Sequence, residues 1–137
     1  MVFQKEIYLK PYPRGFHIIS QQIFDVLPDF TGIVNVFITH TSASLAINEN
    51  ADPSVREDLE THFNIMVPEN KNHYQHTQEG PDDMTSHIKS TIIGSWVSFP
   101  LKNGNPLLGI WQGIYLCEHR NNSPSRKIIV TVYGEKQ

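Results

Sequence analysis

Polar and apolar residues alternate over Val2–Leu9 and predict a first strand, which Pro11, Pro13 and Gly15 interrupt. Residues 16–19 read as another short strand. Ser20 is placed as the cap of a short helix carrying Ile23, Phe24 and Leu27, and Pro28 ends that pattern. Gly32 opens a β-branched run over 33–39, a buried strand that delivers His40 to its C-terminal end. A second apolar piece follows at 45–47. Asp52-Pro53 then marks a helix start, because Asp accepts from free N–H groups and Pro gives up a donor that is unpaired at that position. Val55, Leu59, Phe63 and Met66 form one core-facing stripe on this helix, and Pro68 stops it. Residues 69–81 are polar and without period. Asp82 and Asp83 start another helix with Met84, Ile88 and Ile92 on one side and Gly94 at its end.

From Ser95 the pattern returns to strands: Trp96–Lys102, an Asn103-Gly104 turn, 107–118, and a nearly continuous run at 128–133 placed mid-sheet. Gly109 and Gly113 point to a bulge or a close backbone approach. The sum is one α+β domain over 1–137, with two or three helices against a largely antiparallel sheet or barrel.

Composition narrows the function classes. Eleven Lys+Arg against fourteen Asp+Glu give a net charge of −3, too few cations for general nucleic-acid binding. A single cysteine, Cys117, excludes an internal disulfide framework and fits a reducing compartment. No signal-type segment opens the chain, and no apolar run nears the ~18–20 residues of a spanning helix, so a cytoplasmic protein is expected. Phosphate-loop, dinucleotide and nucleophile-elbow signatures are absent from the sequence.

Candidate chemistry gathers at 76–87. His76, Glu79, Asp82, Asp83 and His87 lie on a loop running into a helix start, and Asp83 and His87, four apart, share a helical face. Imidazole and carboxylate together suit zinc, manganese or iron. Gly80-Pro81 is a turn that can fold His76 back towards His87. The plainer reading is an acidic helix start stabilised by the helix dipole. His40, before the small and hydroxylic Thr41-Ser42-Ala43-Ser44, is the third imidazole, or else a histidine satisfied by local hydroxyls. Glu49, after Asn48, reads evenly as a metal or acid–base carboxylate and as a residue closing a turn. Period two puts Gln112, Ile114, Leu116 and Glu118 on one strand face. Arg126 offers two parallel donors to a phosphate, or pairs with Glu118. Cys117 is not read as a nucleophile, since no helix start lies near it in sequence to lower its pKa.

Five strings in one order carry a resemblance: HTSASLAINENADP at 40–53, HTQEGPDD at 76–83, HIK at 87–89, LGIWQGIYLCE at 108–118 and SR at 125–126. Together they resemble the YjbQ family, described as secondary thiamine-phosphate synthases. The resemblance implies the family's α+β fold, a compact homotrimer, and a pocket of family histidines that holds a metal such as zinc. On the matching positions it implies metal ligation by His40, His76 and His87. It implies catalytic roles for Glu79, Asp83 and Glu49, and substrate contacts from Asn48, Gln112, Glu118, Arg126 and Lys89. Ile110 departs from the threonine common in the family. The implied reaction is an alkyl transfer that joins a pyrimidine methyl diphosphate to a thiazole phosphate, for which magnesium is the usual ion. Histidines suit metal-activated water better, so a metal-dependent hydrolase or lyase on another small phosphorylated substrate is the alternative. A non-catalytic trimer that binds a small anion is the third.

Overall fold

The computed structural model describes residues 1–136. Along the chain lie β1 (Val2–Leu9), β2 (Gly15–Ile18), α1 (Ser20–Phe24), β3 (Phe30–Ile38), β4 (Ala43–Glu49) and α2 (Pro53–Met66). Then come α3 (Pro81–Ile93), β5 (Trp96–Lys102), β6 (Asn105–Pro106), β7 (Gln112–Glu118) and β8 (Arg126–Lys136). All pairings are antiparallel, in one sheet of order β1-β8-β3-β5-β6 and another of order β2-β7-β4. Among the described residues, the expected α+β domain is therefore built on two open sheets, with no closed barrel. Among the described residues, no helix is long and apolar enough to cross a membrane.

The sheets face each other across one core. Val34, Val36 and Ile38 of β3 and Ile128, Val130 and Val132 of β8 meet Leu45 of β4 and Ile114 and Leu116 of β7. Each such buried aliphatic side chain contributes about 1.5–3 kcal/mol. The alternate β7 residues Tyr115 and Cys117 pack with Phe16 beneath Leu59 and Phe63 of α2 and Ile93 of α3. Thus β7 is buried on both faces, which explains its unbroken apolar run. Gly113 sits where an added Cβ would lie 2.8 Å from the Asn50 Cβ, the close approach its position predicts.

Four local expectations differ from the structure. Ser20 does not cap α1; its hydroxyl accepts from the Ile114 N–H at 2.9 Å and so ties the helix to β7. Met66 is half exposed and Val67 is buried instead, because α2 ends at that point and the chain turns inward. The strand expected over 107–118 begins only at Gln112. Before it the chain makes a turn, clasped by the Gln112 side chain accepting from the Gly109 N–H, and this leaves Ile110 and Trp111 exposed. The fourth difference bears on function. Helix α3 turns its polar side inward: Asp82, Asp83, Thr85, Ser86 and Lys89 are buried, while Ile92 faces solvent.

The outer face of the large sheet is also apolar. Ile33 lies opposite both Tyr133 and Pro100, and Phe37 lies opposite Trp96 and Ile129. Ile33, Trp96 and Tyr133 are each more than half exposed.

Candidate metal centre

Two glycines bracket α3 and set its ends. Gly80, at φ +106°, and Gly94, at φ +110°, hold backbone conformations that side-chain-bearing residues rarely adopt. The first lets the loop carrying His76 fold back over the start of the helix. There His76 Nε2 lies 2.6 Å from Asp83 Oδ2, and His87, one turn along, brings its Nε2 to 3.3 Å of the same oxygen. One ligand atom from each of His76, Asp83 and His87 falls within 4.8 Å of the others. Asp83 is almost wholly buried, whereas His76 is half exposed, so the cluster has a solid floor and an open side.

The neighbours fix the donor directions. His87 Nδ1 donates to the Thr41 carbonyl at 2.9 Å, so the neutral ring carries its lone pair on Nε2, towards Asp83. Lone pair then faces carboxylate oxygen, an arrangement that a cation satisfies. The other Asp83 oxygen accepts from the Arg120 guanidinium, which also donates to Asp82 Oδ2 at 2.9 Å and to the Glu79 carbonyl. Burial pushes the Asp83 carboxyl up, but the His76 hydrogen bond and the Arg120 charge help outweigh it and hold it below its ordinary value. Asp82 is held down in the same way, against its burial, by the Asn121 N–H and Arg120. The Glu79 carboxylate is exposed, 3.6 Å from His76 Nε2.

Of the residues singled out in the sequence, these four (His76, Glu79, Asp83 and His87) come together. His40 stands apart from the ligand cluster: its Nε2 accepts from the Lys127 N–H at 2.9 Å, which takes that nitrogen away from a metal. Glu49 accepts from the Ala51 and Asp52 N–H groups and closes the turn before α2. Asn48 accepts from the Glu49 N–H, and Gln112 clasps Gly109. Glu118 and Arg126 form a two-armed buried pair. The Lys89 Nζ points inward to Asn64 Oδ1 at 2.6 Å, and burial together with the Arg14 charge pushes its pKa down. Cys117 is sealed in the core, its thiol pushed up to about 12 by burial, and is no nucleophile.

Sequence reasoning passed over Arg120, assigning it to a polar loop. Two adjacent carboxylates at a helix start that is about to be buried need a counter-ion, and a guanidinium with its several donors is the ordinary one. His87 lines a recess of about 330 Å³, and His76 lines two others, of about 200 Å³ and 420 Å³, so the cluster lies between cavities. A wider groove of about 490 Å³ runs past Arg14, Glu60, Asn64 and Glu69, but Arg14 there is already matched by both carboxylates.

The chain is similar to known proteins in sequence and in fold. The family profile "UPF0047 protein YjbQ-like" matches residues 5–135. The UPF0047 protein YjbQ of Salmonella typhimurium is 49% identical over 139 aligned positions, covering 98% of this chain and 100% of the relative. UPF0047 protein MJ1081 of Methanocaldococcus jannaschii is 38% identical over 105 positions, or 77% of this chain and 72% of the relative. Among solved structures, a conserved hypothetical protein from Thermus thermophilus superposes with a TM-score of 0.85 at 28% identity, covering 94% of this chain and 99% of its own. A YjbQ/UPF0047 protein from Clostridium acetobutylicum gives 0.82 at 32% identity, with the same coverages.

Proposed function

This chain belongs to the YjbQ-like UPF0047 family, and from that premise we propose that it is a divalent-metal enzyme with His76, Asp83 and His87 as ligands. The observation that carries the reading is the convergence of two imidazole nitrogens and one buried carboxylate oxygen within 4.8 Å, with one side open. Two histidines and a carboxylate suit zinc, iron or manganese; magnesium prefers an all-oxygen shell. A bound ion of this kind supplies Lewis-acid activation of water or of a substrate oxygen. The protein's own part is positioning. Thr41 orients His87, Arg120 anchors Asp83, and the exposed Glu79 is placed to take or return a proton.

This donor set favours hydrolysis or lysis of a small phosphorylated substrate. Thiamine-phosphate synthesis is the second reading, supported by the family resemblance: it asks the same centre to steady a departing diphosphate. Metal titration comes first. Wild type is expected to bind one zinc or manganese ion per chain, and His76→Ala, His87→Ala or Asp83→Asn to weaken it at least about a hundredfold, beyond the usual cost of losing a supporting residue. Unchanged metal content in all three variants overturns the assignment. Turnover of the pyrimidine diphosphate and thiazole phosphate pair, measured beside a panel of phosphate monoesters, then chooses between the two reactions.

We further propose that the outer face of the large sheet packs against other copies of the chain, as the implied homotrimer requires. The support is the in-register apolar surface of Ile33, Tyr133, Phe37 and Trp96, of a kind that monomers rarely leave open. Light scattering is expected to give about three times the chain mass for wild type, and the monomer for Ile33→Lys/Trp96→Asp. A monomeric wild type removes the proposal.

A further inference from the structure

The recess of about 200 Å³ beside His76 differs from the others around the metal ligands. It is more closed in than those of 330 Å³ and 420 Å³, and Tyr74, Pro81 and Met84 line it. The recess of 330 Å³ has only Ala43 as an apolar side chain, and that of 420 Å³ has none. Its walls are fixed before anything enters. The Tyr74 hydroxyl donates to the Pro68 carbonyl and the Tyr74 N–H to the Lys71 carbonyl, both at 3.0 Å. Asn70, at φ +60°, and Gly80, at φ +106°, set the two ends of this loop in left-handed backbone, which asparagine and glycine accept. Tyr74 and Met84 are both half-buried, so each keeps some surface to offer.

Lys71 also lines the recess, and no carboxylate does. Among the described residues the exposed Lys71 ammonium has no ion-pair or hydrogen-bond partner, whereas Arg14, Arg120 and Arg126 are each matched by carboxylates. The recesses of 330 Å³ and 420 Å³ carry no Lys or Arg. Size and chemistry then narrow the occupant. An apolar cavity of roughly 150 Å³ admits benzene, so about 200 Å³ takes one ring with a small substituent. A methionine thioether and a tyrosine ring favour a flat aromatic face over an alkyl chain. An unmatched ammonium in the lining favours an acidic group on that ring.

We propose that this recess holds a single aromatic ring bearing an acidic group, with Tyr74 and Met84 as the contacts that select the ring and Lys71 as the one that selects its charge. His76 both lines the recess and belongs to the metal cluster, so the ring end of the substrate lies here while its reacting bond lies on the metal side. The proposal rests on the metal-enzyme reading only for that placement; binding of the ring needs no metal.

The test uses benzoate as the probe, on full-length protein as purified and after chelator treatment, with isotope-labelled methionine methyl groups followed by NMR. The chain has three methionines, Met1, Met66 and Met84, and only Met84 lines the recess. Benzoate is expected to shift the Met84 signal, with and without metal, and to leave the other two in place. Acetate, which lacks the ring, is expected to leave Met84 unmoved at the same concentration. Benzyl alcohol, which lacks the charge, is expected to bind about two- to fivefold more weakly than benzoate. Tyr74→Leu should weaken benzoate about tenfold. Lys71→Gln should weaken it about two- to fivefold while leaving benzyl alcohol unaffected. Lys71 is exposed, so the circular dichroism and zinc titration of Lys71→Gln should match wild type, which keeps the test open should Tyr74→Leu loosen the loop. A Met84 signal that ignores benzoate, or answers acetate equally, overturns the proposal, as does benzoate affinity unchanged in Lys71→Gln. If His76→Ala and His87→Ala fail to alter metal content while Met84 still answers benzoate through Lys71, the recess stands and the metal reading falls. If metal titrates as proposed while Met84 ignores benzoate, the reverse holds.

Discussion

Arg126→Met is expected to lower the unfolding free energy by about 3–5 kcal/mol, a large share of the roughly 5–15 kcal/mol that holds a single domain folded. Arg126 and Glu118 are both buried, joined by Nε to Oε1 at 2.7 Å and Nη2 to Oε2 at 2.6 Å. They stand at one end of the inter-sheet core, Glu118 on the strand face of Ile114 and Leu116, Arg126 on that of Ile128 and Val130. Removing the guanidinium leaves Glu118 with only the Arg120 N–H, at 3.2 Å, to offset its charge in an apolar setting. The melting temperature should fall by roughly 10–20 °C at fixed protein concentration. Replacing both residues, as Glu118→Leu/Arg126→Met, should recover most of that loss, because two apolar groups leave no stranded charge. Denaturant unfolding of the single and double variants decides the matter. A single variant within 1 kcal/mol of wild type means the pair is hydrated or dispensable.

The legibility of this molecule follows the range of the interactions involved. Elements set by neighbours in sequence were readable. The Asp52 cap accepts from the Ser54 N–H at 2.9 Å, as Asp-Pro announces, and the alternation of β5 places Val97, Phe99 and Leu101 in the core. The local half of the site was readable for the same reason: Asp83 and His87 are one helical turn apart, and Gly80-Pro81 can turn only so many ways. What escaped depends on register. His40 follows β3, whose Ile38 pairs with Ile128 of β8, so its ring comes to rest against Arg126 and the Lys127 N–H. Nothing within ten residues of His40 announces that partner. The inward polar side of α3 escaped because hydrophobic periodicity assumes that apolar means buried. Here Arg120, Asn64 and Asn121 satisfy the polar side, and this lets Asp82, Asp83 and Lys89 lie inside.

Acidification should weaken the fold well before its carboxylates titrate, and His119 is the reason. Its ring is buried against Phe16, Nε2 meets Ser44 Oγ at 2.8 Å, and Nδ1 is buried without a partner. Burial, reinforced by the Lys89, Arg14 and Arg126 charges, pushes its pKa down to about 3. A lowered histidine binds its proton in the unfolded chain first, so stability is full above the unfolded value of about 6.5 and falls as pH drops towards 3. Integrated over that window the loss reaches about 5 kcal/mol, of which about 2–3 kcal/mol is gone by pH 4.5. His40, also held below its ordinary value by burial and Arg126, adds in the same direction. Asp82 and Asp83 work in a lower window: their folded values are depressed, so the stability they lend persists above the ordinary Asp value and is lost only as pH falls below about 4. Urea unfolding between pH 7 and 4.5 therefore isolates the imidazoles. Wild type should lose about 2–3 kcal/mol across it, and His119→Gln, which cannot take up the proton, should lose markedly less, whatever the substitution costs at pH 7. Parallel curves for the two proteins would show that His119 finds room for its proton in the folded state, against the orphaned Nδ1 and three nearby cations.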